Sequence, residues 1–203
     1  SAAVLAMQGA ESLPLKDDSA GTKPWFCHGL GCPSFTVLSR NDSVELRMYE
    51  ESLWATTKVP CGAGGSSFDS AKREGFMRLF RYISGNNSEH AKIDMTAPVL
   101  IRVDKDATGG YSEISVSFFM ANGKQESPQP GNSQIFLEQL PKMQVFVSQY
   151  STLPPGPSEG RVFKEAEALK SGLAPGTYDE RTFFDVEYDP PFRIFGRHDE
   201  IWI

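Results

Sequence analysis

Apolar residues follow two rhythms along this chain. In Phe35–Leu38, Val44–Tyr49, Leu53–Val59, Ile114–Met120, Met143–Tyr150 and Arg181–Tyr188 they recur in short runs that predict strands. Alternation in the second run puts Val44, Leu46 and Met48 on one strand face. Further strands are expected at Lys92–Val103, where Pro98 forces an edge, bulge or kink, at Phe192–Phe195 and at Glu200–Ile203. The second rhythm is helical. Phe68, Ala71, Phe76, Leu79, Phe80 and Ile83 fall at helical spacing and predict one broad buried stripe. Ser66 or Ser67 can cap this helix, Asp69 suits its positive end, and Gly85 stops it. A second helix, Ser158–Lys170, carries Val162, Ala166 and Leu169 inward and ends at Gly172. The order strand, helix, strand thus occurs twice, in Leu53–Val103 and Met143–Tyr188. An α+β fold with two helices on an antiparallel, barrel-like sheet satisfies that pattern.

The chain has 203 residues and a formal net charge of −6, which argues against nucleic acid and against a polybasic membrane contact. No segment approaches the roughly 18 consecutive apolar residues of a spanning helix. Residues 1–24 read as a flexible tail and 25–203 as one globular domain. Ser1–Ala10 is rich in small residues, as near a signal-peptide cleavage site or in the mobile tail of a processed chain. Cys27 and Cys32 enclose two glycines and can close a small disulfide loop, or stay as thiols in a reducing compartment. Cys61 is left over, as a free buried thiol or as an alternative partner. Two N-glycosylation sequons begin at Asn41 and Asn86, both in predicted turns. Together these features point to a secreted, extracellular glycoprotein.

Candidate chemistry is sparse. His28, His90 and His198 lack metal-site spacing; the last two sit in charged turns and read as solvated. No nucleophile elbow and no isolated carboxylate pair suggest an enzyme. What remains is a binding face. At 3.6 residues per turn, Arg73, Met77 and Arg81 share an arc of roughly 80° on the first helix. Two planar guanidinium forks beside a soft thioether suit a flat apolar ligand that carries carboxylates.

The ordered motifs C-x4-C-P, V-E-L-R-M-Y, W-A-T-T, F-D-S-A-K-R-E-G-F-M-R-L-F-R-Y-I-S-G-N-N, K-I-D-M-T-A-P-V and Y-D-P-P-F-R-I-F-G-R-H-D-E-I-W-I span Cys27 to Ile203. In this set the chain resembles the SOUL family of haem-binding proteins. The resemblance implies a distorted antiparallel β-barrel with two flanking helices, built as a pseudo-twofold repeat. It implies non-covalent binding of haem or a related tetrapyrrole in a surface groove beside the first helix, for sequestration or transport. Basic residues matching Arg73, Arg81 and Arg193 would approach the propionates, with Phe76, Met77 and Phe80 as apolar contacts. Some family members carry a candidate axial histidine where this chain has Met48. Methionine can ligate haem iron, so Met48 is the only metal-ligand candidate. The alternative is an interaction module whose groove holds a peptide, lipid or partner protein.

Overall fold

The computed structural model describes residues 24–62, 65–121 and 127–203. The expected amino-terminal tail and signal-peptide remnant lie almost wholly outside these residues. A short 3-10 turn at Trp25–Cys27 is followed by β1 (Phe35–Arg40), β2 (Glu45–Tyr49), β3 (Ser52–Pro60), α1 (Phe68–Ile83), β4 (Val99–Asp104) and β5 (Glu113–Phe119). Then come β6 (Ile135–Leu140), β7 (Met143–Tyr150), α2 (Glu159–Ser171), β8 (Thr182–Glu187) and β9 (Asp199–Trp202). The strands form one curled antiparallel sheet in the order β1-β2-β7-β9-β8-β4-β5-β3-β6. The fold is α+β, a distorted barrel with two helices.

Period-two alternation gives the sheet two apolar faces. One carries Leu53, Ala55, Val59, Ile101, Val116, Phe183 and Ile201 and is covered by the helices, α1 against β3 and β5, α2 against β7 and β9. The other collects Trp54, Leu100, Val147, Val186 and Trp202 and is closed by Phe26 and Cys27 of the 3-10 turn. Cys27 and Cys32 are joined by a disulfide of 2.05 Å, which fixes that closing turn. Cys61 is a buried free thiol, pushed up by burial.

Ser67 caps α1, its hydroxyl accepting the Ser70 N–H at 3.3 Å, and Gly85 follows the helix with φ of +115°. Gly75 sits where α1 comes closest to the sheet. A Cβ there would lie 2.5 Å from Val116 Cγ2, so any larger residue pushes helix and strand apart.

Several expectations change. Lys92–Pro98 is irregular, and β4 begins only at Val99, after the proline. Phe192–Phe195 is loop rather than strand. The edge strand β6, absent from the predicted elements, pairs with β3 alone. Phe80 was expected in the buried stripe of α1 but is exposed, because Tyr82 and Gly75 complete the buried face instead.

Candidate functional site

Helix α1 carries four basic side chains with two different fates. Lys72 is nearly buried, reaching Glu187 and Asp185 and donating to the Pro157 carbonyl at 2.9 Å. Burial alone would lower its pKa, but Glu187 and Asp185 more than reverse that. Arg78 bonds Glu74 one turn back and donates to Thr57 Oγ1 and the Lys58 carbonyl, each at 3.1 Å. These two cations lash the helix to the sheet. Arg73 and Arg81 differ: both are exposed, and neither guanidinium has a hydrogen-bond or ion-pair partner among the described residues.

Between the two free guanidiniums lies Met77, exposed at the centre of the outward face. Phe80, also exposed, flanks it one turn on, its ring stacked on Phe76 with centroids 6.0 Å apart. Phe76 in turn meets Phe118 of β5 edge-on at 5.2 Å. This aromatic relay is anchored in the core and ends at the surface, so Phe80 is held from below. The result is a strip of thioether and phenyl surface about 12 Å long, with a cation near each end. Such a strip can hold a flat apolar body by contact and fix acidic substituents by charge-assisted hydrogen bonds.

Arg193, Met48 and the two sequon asparagines are the remaining predicted residues. Arg193 lies at one end of the barrel. Its Nε is 3.1 Å from Asp189 and donates to the Phe195 carbonyl at 3.0 Å, and its guanidinium is 3.3 Å from His28 Nδ1. Met48 is half-buried on β2, with Thr36 and Gln144 as ladder neighbours. Among the described residues no group of three or more His, Cys, Asp or Glu is placed to hold a metal ion. Asn41 and Asn86 both occupy turns. The Asn41 carbonyl oxygen accepts the N–H groups of Ser43 and Val44 at 2.9 and 2.8 Å, while Asn86 is exposed beyond α1.

A buried ionic cluster under the 3-10 turn went unseen in the sequence. Glu200, fully buried on β9, accepts a two-pronged contact from Arg47 at 3.0 and 3.1 Å. It also accepts from Tyr188 Oη at 3.0 Å and Trp202 Nε1 at 2.7 Å, with His198 Nε2 2.7 Å away. Burial pushes the Glu200 carboxyl up, but Arg47, His198 and Trp202 outweigh it and hold it below its ordinary value. His198, read as solvated, is instead buried and stacked on Phe26 with ring planes 3° apart. Alternation was the available signal: in R47-x-Y49 and H198-x-E200-x-W202, polar and aromatic residues share one strand face.

The structure is thus a curled antiparallel barrel flanked by two helices, and α1 presents two arginines, unpaired among the described residues, about a thioether and a phenyl ring. The chain belongs to the SOUL heme-binding protein family, whose pattern it matches over residues 30–203. Heme-binding protein 2 of Homo sapiens is 30% identical over 165 residues, covering 79% of this chain and 77% of that protein. Heme-binding protein 1 of Xenopus laevis is 28% identical over 162 residues, covering 78% and 81%. Among solved structures, SAV2435 bound to tetraphenylphosphonium aligns with a TM-score of 0.49 and 12% identity over 78% of this chain and 91% of that chain. Membership supports haem or tetrapyrrole binding for the family as a whole.

Proposed function

We propose that this protein binds haem or a related tetrapyrrole non-covalently on the exposed face of α1, to sequester or carry it without chemistry. The observation that carries this reading is the contrast within one helix: Lys72 and Arg78 are engaged, while the Arg73 and Arg81 guanidiniums have no partner among the described residues and stand beside Met77 and Phe80. A bound haem would supply a broad apolar macrocycle and carboxylate substituents. Met77 and Phe80 would lie against the former, backed by Phe76, and the two free arginines would hold the latter. Arg193 would serve the structure of its own loop, because Asp189 and His28 already occupy it. Met48, with β1 and β7 side chains as neighbours, is a poor source of an axial bond to a ligand on α1.

Affinity should be micromolar or tighter, roughly −8 kcal/mol. Each charge-assisted arginine contact would contribute about 1.5–3 kcal/mol at most. Haem titration followed at the Soret band tests the reading, and absence of a saturable one-to-one change overturns it. The disulfide and the turn-placed sequons support a secreted glycoprotein. On expression through a secretory pathway, Asn41 and Asn86 should acquire glycan mass that a glycosidase removes.

A further inference from the structure

The thioether at the centre of the α1 strip is the most exposed sulfur among the described residues. Met77 is 38% exposed, whereas Met48, Met95 and Met143 are half-buried and Met120 lies in the core. Met95 packs against the helix-side core and Met143 against the other. Cys61 is buried, and burial pushes its thiol up, which withholds the thiolate that oxidants attack. Cys27 and Cys32 are already joined. An oxidant in solution therefore meets Met77 first.

Its position decides what oxidation does there. Met77 stands four residues from Arg73 and four from Arg81, the spacing at which side chains meet on a helix surface. Helical side chains lean toward the start of the helix, so the Arg81 side chain covers the turn that holds Met77. Neither guanidinium has a partner among the described residues, and Glu74, beside Arg73 in the chain, is held by Arg78. A thioether offers these donors only a weak acceptor, whereas a sulfoxide oxygen is a strong one.

We propose that Met77 is an oxidation switch on the α1 site, and that its conversion to the sulfoxide closes that site to the tetrapyrrole. The inference rests on the haem-binding reading and adds regulation to it. A hydroperoxide supplies the oxygen. The sulfur lone pair attacks the distal peroxide oxygen, an S–O bond forms and the O–O bond breaks. The proton of the attacked oxygen passes to the departing one, which leaves as water or an alcohol. Sulfur loses two electrons and the peroxide gains two. The product acts twice on the site. It sets a polar group in the middle of the strip, where the macrocycle would lie, and its oxygen accepts from the Arg81 guanidinium, which is then lost to the ligand. The fold is spared, because α1 buries Phe68, Ala71, Gly75, Leu79, Tyr82 and Ile83 instead.

Brief treatment with hydrogen peroxide, removed by catalase before haem is added, tests this. Peptide mass mapping should find one added oxygen at Met77 before Met48, Met95, Met120 or Met143 gains one. Soret titration of the oxidised protein should then show haem affinity at least about tenfold lower, at unchanged circular dichroism. Methionine sulfoxide reductases should restore it. With each variant compared to its own untreated sample, Met77→Leu should show no response to peroxide and Arg81→Ala a smaller one. Complete sulfoxide formation at Met77 with unchanged haem affinity overturns the inference, as does an equal response in Met77→Leu, earlier oxidation of another described methionine, or loss of structure on oxidation. An undiminished response in Arg81→Ala overturns the part given to that guanidinium. Absence of haem binding by the untreated protein overturns the haem-binding reading and the switch together, so the two failures are told apart.

Discussion

Arg47 and Glu200, 153 residues apart in the chain, meet inside the barrel in a two-pronged ion pair with contacts of 3.0 and 3.1 Å. Both are almost wholly removed from water. The pair joins β2 to β9 across β7, and the Phe35 ring covers the guanidinium at 4.4 Å. Removing one partner strands the other charge in an apolar surrounding, which costs about 3–5 kcal/mol. Arg47→Met and Glu200→Gln should therefore each lower unfolding free energy by about that amount, measured in urea. Arg47→Met/Glu200→Gln together should cost clearly less than the sum. Additive losses would contradict the pairing.

Acid and base act on this core with opposite signs. The Glu200 carboxyl sits below its ordinary value, so its contribution is present above the unfolded pKa, about 4.3, and lost as pH falls through the folded one. Asp185 is the reverse. Burial first, then Glu187, raise it well above the ordinary carboxylate range. Its contribution is complete below about pH 3.9 and is lost as pH rises through the raised value. Asp185→Asn, which keeps an acceptor for the Tyr150 hydroxyl, should raise Tm at pH 7 and make little difference in acid. Each kcal/mol regained corresponds to roughly 2–4 °C. A lower Tm at pH 7 would count against this sign.

The seat of α1 depends on one missing side chain. Gly75→Ala gains about 1 kcal/mol of intrinsic helix preference, yet its methyl would lie 2.5 Å from Val116 Cγ2 and 3.3 Å from Val59 Cγ2. Overpacking of this kind costs about 1–3 kcal/mol. Net destabilisation is expected in thermal melts, whereas a stabilised variant would show that helix and sheet can separate freely.

The sequence made the frame legible wherever one period dominated. Both helices and the strands of Leu53–Val59, Met143–Tyr150 and Arg181–Tyr188 appear within a residue or two of expectation, because each is a continuous apolar run or stripe bounded by polar or turn residues. It failed where tertiary pairing decides. Ile135–Leu140 has weak alternation and becomes a strand only by pairing with β3. Phe192–Phe195 looks strand-like but is held as a loop by Asp189, which no local pattern reveals. The arginine pair on α1 could be placed on one face from spacing alone. Spacing also offers Arg78 the Glu74 carboxylate one turn back, but not the ties of Lys72 and Arg78 to β8, β3 and the 157 carbonyl that set them apart from Arg73 and Arg81.

That division makes a separable prediction. Arg78→Ala should lower stability, losing the contacts to Thr57 and Lys58, and leave haem affinity nearly unchanged. Arg73→Ala should leave Tm nearly unchanged and weaken haem binding by about tenfold. Melting curves and titrations on the same two variants check both halves. If Arg78→Ala proves the weaker haem binder, the free and bound arginines have been assigned to the wrong roles.

The most direct measurement is a Soret-band haem titration of the wild-type protein beside Arg73→Ala/Arg81→Ala. A saturable one-to-one transition at micromolar haem or below is predicted, displaced by about a hundredfold in the double variant at unchanged Tm. Saturation at the same haem concentration in both proteins would contradict the assignment of the site to α1.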